Sequence, residues 1–214
     1  EALPFMRFSE GTIGGIRARP FRISFSGELS YEIAVPASDG QAFWDMCIEA
    51  GKEFGIQPYG TECLHVMRAE KGFIMIGDET DGTVIPQDLN MEWALSKKKE
   101  DFLGKRAHLR SHMSDPSRWK LVGLKTVDPN VVIPDGAYAT DGTIRENGVK
   151  NMIGRVTSTY FSPTLNRSIA MGLVKFGPNR MGEIIDFPTL EGKIIKAEIC
   201  NQVFLDPEGE RQNV

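Results

Sequence analysis

Long apolar runs are missing from this sequence: no stretch approaches the ~20 residues of a membrane span. The opening EALPFMRFSEGTIGG has neither the basic n-region nor the apolar core of a signal peptide. A soluble protein with no membrane partner is expected. Cysteine is scarce as well. Cys47, Cys63 and Cys200 are the only three; they stand far apart, two of them in apolar periodic runs, which reads as reduced, mostly buried thiols rather than a disulfide framework or a zinc site. A reducing, cytoplasmic compartment follows. The three histidines, His65, His108 and His112, have no second ligand type at metal spacing, so no metal is expected. Positive charge is not in surplus either: the net charge is −4, which argues against nucleic acid, whose binding is dominated by phosphate neutralisation. There is no Walker loop, G-x-S-x-G, H-E-x-x-H, paired C-x-x-C or G-x-G-x-x-G. An initiating methionine is also missing, which suggests a piece of something longer.

What is present reads as an α+β chain. GIRARPFRISFS and YEIAVP are two strands of a hairpin, with Pro20 demoting the start of the first to an edge or a bend. In ASDGQAFWDMCIEAGKEFGI, Phe43, Met46, Cys47, Ala50 and Phe54 recur at helical spacing, Ser38 or Asp39 can cap the start and Gly55 can end it. A second helix fits TECLHVMRAEKG, with Leu64 and Met67 on one stripe and Gly72 at the exit. FIMIGDETDGTVIPQDL has the Gly and Pro content of an ordered loop. The basic cluster SKKKEDFLGKRAHLRSH follows, and its Lys97, Lys98 and Lys99 read first as a solvated loop. After Arg118 the helical stripes stop and short β-like runs take over, which predicts a small antiparallel barrel or sandwich. The domains expected are therefore 1–117 and 118–214, with the polar tail DPEGERQNV fraying.

Glu32 is the conspicuous residue. Tyr31, Ile33 and Val35 alternate onto one face of a strand, leaving Glu32 pointing the other way beside Ala34. That pattern reads first as a solvent-facing charge on a half-buried strand; the other reading is a carboxylate aimed into a pocket.

Three segments, in order, carry a resemblance. FSGELSYEI is similar to the turn and strand Y-T-G-E-D-G-x-E-I of the glycine-cleavage T-protein (aminomethyltransferase) family. LHVMRAEKGFIMIGDETDGTVIPQDLNMEWAL resembles that family's helix, acid-rich loop and T-x-P-x-[DE] segment ending near a Trp. IGRVTSTYFSPTLNRSIAMGLV resembles its barrel signature, G-x-V-T-S followed by S-P-x-L. Within the family, HVMRAEKGFIMIG, DGTV.P.DL, SKKK and DF.GKR look most like the branch of heterotetrameric sarcosine oxidase α subunits.

The resemblance implies a partial folate-binding domain followed by a small antiparallel β-barrel. It also implies tetrahydrofolate as ligand, with flavin and NAD on other parts of a hetero-oligomeric oxidase whose other subunits are partners. The activity implied is passage of the one-carbon unit of oxidised sarcosine to tetrahydrofolate, giving glycine and 5,10-methylene-tetrahydrofolate, or formaldehyde without folate. Glu32 aligns with the family's pterin-binding glutamate. A carboxylate suits that role, because the amino-pyrimidine edge of a pterin offers two adjacent N–H donors that it can accept in a fork. Phe25 stands where relatives have Tyr, Tyr31 precedes Glu32, and Arg68 aligns with the arginine of L-R-x-E; these complete the implied folate set, although Arg68 fits a surface position equally. Glu28 aligns with the turn glutamate, and the Lys97–Lys99 cluster would suit a polyglutamate tail. The family's catalytic aspartate is expected in a segment upstream. One departure stands out: many relatives have an arginine where this chain has Leu64. Dimethylglycine dehydrogenase, a stand-alone aminomethyltransferase and a non-catalytic assembly module are the alternatives, and the last lacks its K-G-C-Y-x-G-Q-E motif here.

Overall fold

The computed structural model describes residues 3–213. They divide into two units: one takes in the chain up to Arg68 together with the segment from Asp206 onward, the other is Ala69–Leu205.

In the first unit, β1 (Gly11–Ile13), β2 (Ile16–Phe21) and β3 (Glu32–Ala34) form an antiparallel sheet in that order. The expected hairpin is its β2–β3 pair, with Arg19 opposite Ala34 and Phe21 opposite Glu32. Pro20 lies in the central strand rather than at an edge or bend. The strand tolerates it because Pro20 falls beyond the β1 ladder and its backbone polar groups face the Ser9 segment, where its carbonyl accepts from Ser9 N–H at 3.1 Å, so its missing N–H removes no bond to β3. The alternation through Tyr31 and Ile33 does not make a buried face. β3 is three residues long and wholly exposed, and Tyr31 keeps 45% of its surface. Periodicity fixes which way side chains point; burial also needs a facing layer.

The first helix, α1 (Gly40–Gly51), follows a 3₁₀ turn at Ala37–Asp39 and ends through Gly55, whose φ of 71° gives the left-handed exit expected of glycine. Its stripe is shallow. Phe43, Met46 and Cys47 are half-buried, none is fully buried, and Phe54 stays 83% exposed. The tail does not fray. Arg22 Nη2 donates to the Gln212 carbonyl at 2.7 Å, Arg211 pairs with Glu28 at 2.8 Å, and Gln212 is buried. Composition alone could not reveal these anchors, because they join residues almost the whole chain apart.

The second helix, α2 (Thr61–Glu70), has its last two residues in the second unit. It turns out through Gly72, where φ is 71° and a Cβ would strike the Gln202 carbonyl. Next comes the long irregular loop, then six strands: β4 (Trp119–Thr126), β5 (Tyr138–Ile144), β6 (Lys150–Ser162), β7 (Arg167–Lys175), β8 (Ile184–Pro188) and β9 (Ile194–Cys200). They close in the order β4-β7-β6-β5-β8-β9. The barrel interior holds Val122, Leu124, Val156, Val174, Phe187 and Ile199, among others. The alternate residues of β4 and β7, Leu121, Ile169, Met171 and Leu173, point outward into a second cluster with Ala69, Ile74, Val84 and Leu89. Residues 69–91 therefore cover the outer wall, which explains why SIAMGLV is apolar without alternation. The sequence boundary at 117–118 marks where the strands begin, but the preceding loop packs with the barrel.

The thiols are less buried than their sequence context suggests: Cys63 is exposed, Cys47 and Cys200 intermediate. Desolvation pushes the Cys200 thiol up to about 11, so about one part in a thousand is thiolate at pH 8. Iodoacetamide at pH 8 should therefore label Cys63 well before Cys200 in peptide mass maps. Equal labelling of the two would contradict this burial.

Candidate functional site

The stretch from Arg22 to Glu32 connects β2 to β3 and carries three of the four implied folate residues. Ser24 Oγ accepts from Gly27 N–H at 3.0 Å and Ser26 Oγ from Glu28 N–H at 3.4 Å, so local hydroxyls shape the turn. Gly27, at φ 83°, is buried in it. The Arg22 guanidinium, only 6% exposed, lies 5.4 Å over the Tyr31 ring, which fixes the ring beside the start of β3. Phe25 is half-buried. Glu28 is spoken for by Arg211. Glu32, the first residue of the edge strand, is exposed, and its carboxylate has no hydrogen-bond or ion-pair partner among the described residues. Both of its oxygens are open to a donor.

Arg68 lies elsewhere, near the C-terminal end of α2, and is 0% exposed. This overturns its surface reading; a guanidinium taken wholly out of water requires partners. The Lys97–Lys99 run is exposed, its turn held by Ser96 Oγ, which accepts from Lys98 N–H at 3.3 Å and Lys99 N–H at 3.2 Å. His108 lies in a short 3₁₀ turn and His112 beyond it, so the two share no helical face. No group of three or more His, Cys, Asp or Glu suited to a metal occurs among the described residues. Nor is any helix among them long and apolar enough to cross a membrane.

Sequence reasoning missed the buried acids of the second unit. Glu79, 0% exposed, accepts from Thr157 Oγ1 at 2.8 Å, Ser158 Oγ at 2.5 Å and Met75 N–H at 2.8 Å. Glu70, 3% exposed, accepts from Ser162 Oγ at 2.5 Å, and that hydroxyl in turn accepts from Leu165 N–H at 2.9 Å. The hydroxyls of V-T-S and S-P-x-L therefore hold carboxylates of the preceding segment against β6. Asp88, 2% exposed, accepts from Ile85 N–H at 3.0 Å and forks with Arg118, whose Nε lies 3.0 Å away. The available signal was an acid-rich segment in apolar company, followed downstream by paired hydroxyls and an arginine.

A pocket of about 490 Å³ opens on the outer wall of the barrel, lined by Asp81, Asp115, Arg118, Trp119, Tyr138 and Arg155 among others. Arg155 pairs with Asp81 at 2.7 Å. The Asp81 carboxyl is held below its usual range, chiefly by hydrogen bonds from the Thr83 hydroxyl and N–H.

Comparison with known proteins agrees with these observations. The GCVT N-terminal domain model matches residues 1–99, and the glycine cleavage T-protein C-terminal barrel domain model matches residues 120–206. The sarcosine oxidase subunit alpha of Corynebacterium sp. (strain P-1) is 46% identical over all of this chain, which spans 22% of that relative. The corresponding subunit of Rhizobium meliloti (strain 1021) is 40% identical over 100% of this chain and 22% of its own length. An aminomethyltransferase of Halothermothrix orenii is 32% identical across 96% of this chain and 55% of its own. The crystal structure of the glycine cleavage system aminomethyltransferase T from Bartonella henselae superposes with a TM-score of 0.79 at 28% identity, covering 95% of this chain and 53% of that one. The chain thus spans about a fifth of the first two relatives and about half of the others. With the two domain models in order along the chain, and a closed barrel where the second one falls, this chain belongs to the glycine-cleavage T-protein (aminomethyltransferase) family.

Proposed function

We propose that this chain is a folate-binding region that receives the one-carbon unit of an oxidised N-methyl amine within a sarcosine-oxidase-type enzyme. The observation that carries the reading is the unpartnered carboxylate of Glu32 at an exposed strand edge. It can accept two parallel N–H donors, which is what the pterin edge of tetrahydrofolate presents. Phe25 and Tyr31, on the same connection, offer ring surface beside it. Arg68 is fully buried and, in this reading, maintains the end of α2. When bound, tetrahydrofolate supplies the nitrogen nucleophile that takes up the one-carbon unit and leaves glycine. The contribution of the chain is orientation: Glu32 fixes one end of the ligand, and the rings shield the reacting region from water. Oxidation of the amine, with its flavin and NAD, is assigned to other parts of the parent assembly, as is the catalytic aspartate.

Titration of folinic acid into the full-length protein, beside its Glu32→Gln variant, tests this. Binding should weaken by about 1.5–3 kcal/mol, the scale of hydrogen bonds to a charged group. Equal affinities would remove Glu32 from the pterin site. No binding by the parent protein would overturn the folate assignment itself.

A further inference from the structure

The segment from Asp206 onward belongs to the unit that carries the Arg22–Glu32 connection, although 183 positions separate Glu28 from Arg211. Its own sequence, DPEGERQN, builds a closed turn. Asp206 has a φ of 49°, a left-handed value that aspartate tolerates better than most residues. Its carboxylate accepts from Glu210 N–H at 3.0 Å through Oδ1 and from Arg211 N–H at 3.2 Å through Oδ2. Gly209 N–H returns to the Asp206 carbonyl at 3.1 Å. These bonds satisfy the leading N–H groups of the 3₁₀ turn Glu210–Gln212. They also fix the direction in which the turn presents the Arg211 side chain and the Gln212 carbonyl.

Both of those groups engage the connection. Arg211 Nη1 donates to Glu28 Oε1 at 2.8 Å, in the middle of it. The Gln212 carbonyl accepts from Arg22 Nη2 at 2.7 Å, at its start, and both residues are buried. The same guanidinium lies 5.4 Å over the ring of Tyr31, one residue before Glu32. The start, middle and end of the connection therefore refer to a single turn of distant chain.

The two polar contacts differ in strength. The Arg22 contact is charge-assisted and shielded from water, which makes it the firm one. The Arg211–Glu28 pair has side chains 48% and 43% exposed, so it is weaker and screened by salt. The connection has few other supports. The N–H groups of Gly27 and Glu28 go to the hydroxyls of Ser24 and Ser26, inside the connection itself, and β3 is only three residues long. Bonds of that kind shape the turn without fixing where it stands.

We propose that the turn 206–213 is a positioning element for the Glu32 site, a polar latch whose releasable arm is Arg211. It holds the 22–32 connection in the conformation that receives a ligand. Arg22 and Arg211 act through Tyr31 and Glu28 and touch no ligand themselves. A connection ordered in advance loses less conformational freedom when the ligand arrives, and affinity rises accordingly. The identity of the ligand rests on the folate reading of Glu32; the latch itself does not.

The test uses the full-length protein with Arg211→Glu, with Asp206→Gly, and with Arg211→Glu combined with Glu28→Arg. Glycine suits the left-handed position while removing the carboxylate. Hydrogen exchange read by mass spectrometry should show peptides from 22–32 opening about threefold or more faster in the two single variants. The barrel strands should stay protected and the urea midpoint unmoved. Folinic acid should bind both single variants about threefold or more weakly. Exchanging the two charges should restore both properties, which a general loss of stability would not allow. Parental exchange rates in both single variants would overturn the proposal, as would unchanged folinic acid binding in them or a charge-swapped protein no better than Arg211→Glu alone. If the unsubstituted protein binds no folinic acid, the folate reading falls and the exchange rates alone decide the latch.

Discussion

Replacing Arg118 by methionine should destabilise the barrel-containing unit by about 3–5 kcal/mol, the usual cost of breaking a buried ion pair by removing one partner. The reason lies with the partner. Asp88 has a side chain only 2% exposed and that of Arg118 only 10%, so deletion of the guanidinium strands a carboxylate with little beyond the Ile85 N–H to satisfy it. The loss should appear as a lower urea midpoint at unchanged slope. A second variant decides between loss of the pair and loss of packing. Arg118→Met combined with Asp88→Leu should recover a large part of the stability, because an apolar pair of similar volume avoids the desolvation of both charges. If the double variant is as unstable as the single one, the defect is one of packing, and the ion pair is not what fastens the loop to the start of β4.

Phe187→Ala should cost a similar amount, about 3–5 kcal/mol, through a different cause. Phe187 is 0% exposed, sits on β8 opposite Ile195, and is the largest side chain of the interior cluster. Removing the ring forfeits its transfer free energy and leaves a cavity, which a closed ring of hydrogen-bonded strands can collapse only in part. Phe187→Leu keeps most of the volume and should lose considerably less. A loss for Phe187→Ala below about 1 kcal/mol would mean that the barrel is loosely filled there, against its observed enclosure.

Several features were readable from local pattern. Gly55 and Gly72 close the two helices because a left-handed residue is needed at each exit, and that requirement belongs to the residue itself. The short β-like runs after Arg118 became the six barrel strands, since alternating or continuous apolar runs between turn signals report strand formation directly. The carboxylate at Glu32 was visible as a charge in an apolar alternation. The same alternation overstated burial, because β3 is short, at the sheet edge and exposed.

The tertiary structure alone decided where the charges went. Glu79 meets Thr157 and Ser158 some eighty positions later, Asp88 meets Arg118, and Arg22 reaches Gln212 from the other end of the chain. Nothing in the neighbourhood of Glu79 or Asp88 distinguishes them from the exposed acids of the same loop. A carboxylate can enter the interior only where the fold brings donors to it, and those donors are specified by strand pairing and closure rather than by adjacent residues. The sequence by itself determined the kinds of element, their order and the family to which the chain belongs. Which polar groups become buried partners and which, like Glu32, stay exposed was decided by long-range packing, because desolvation is a property of a site in three dimensions.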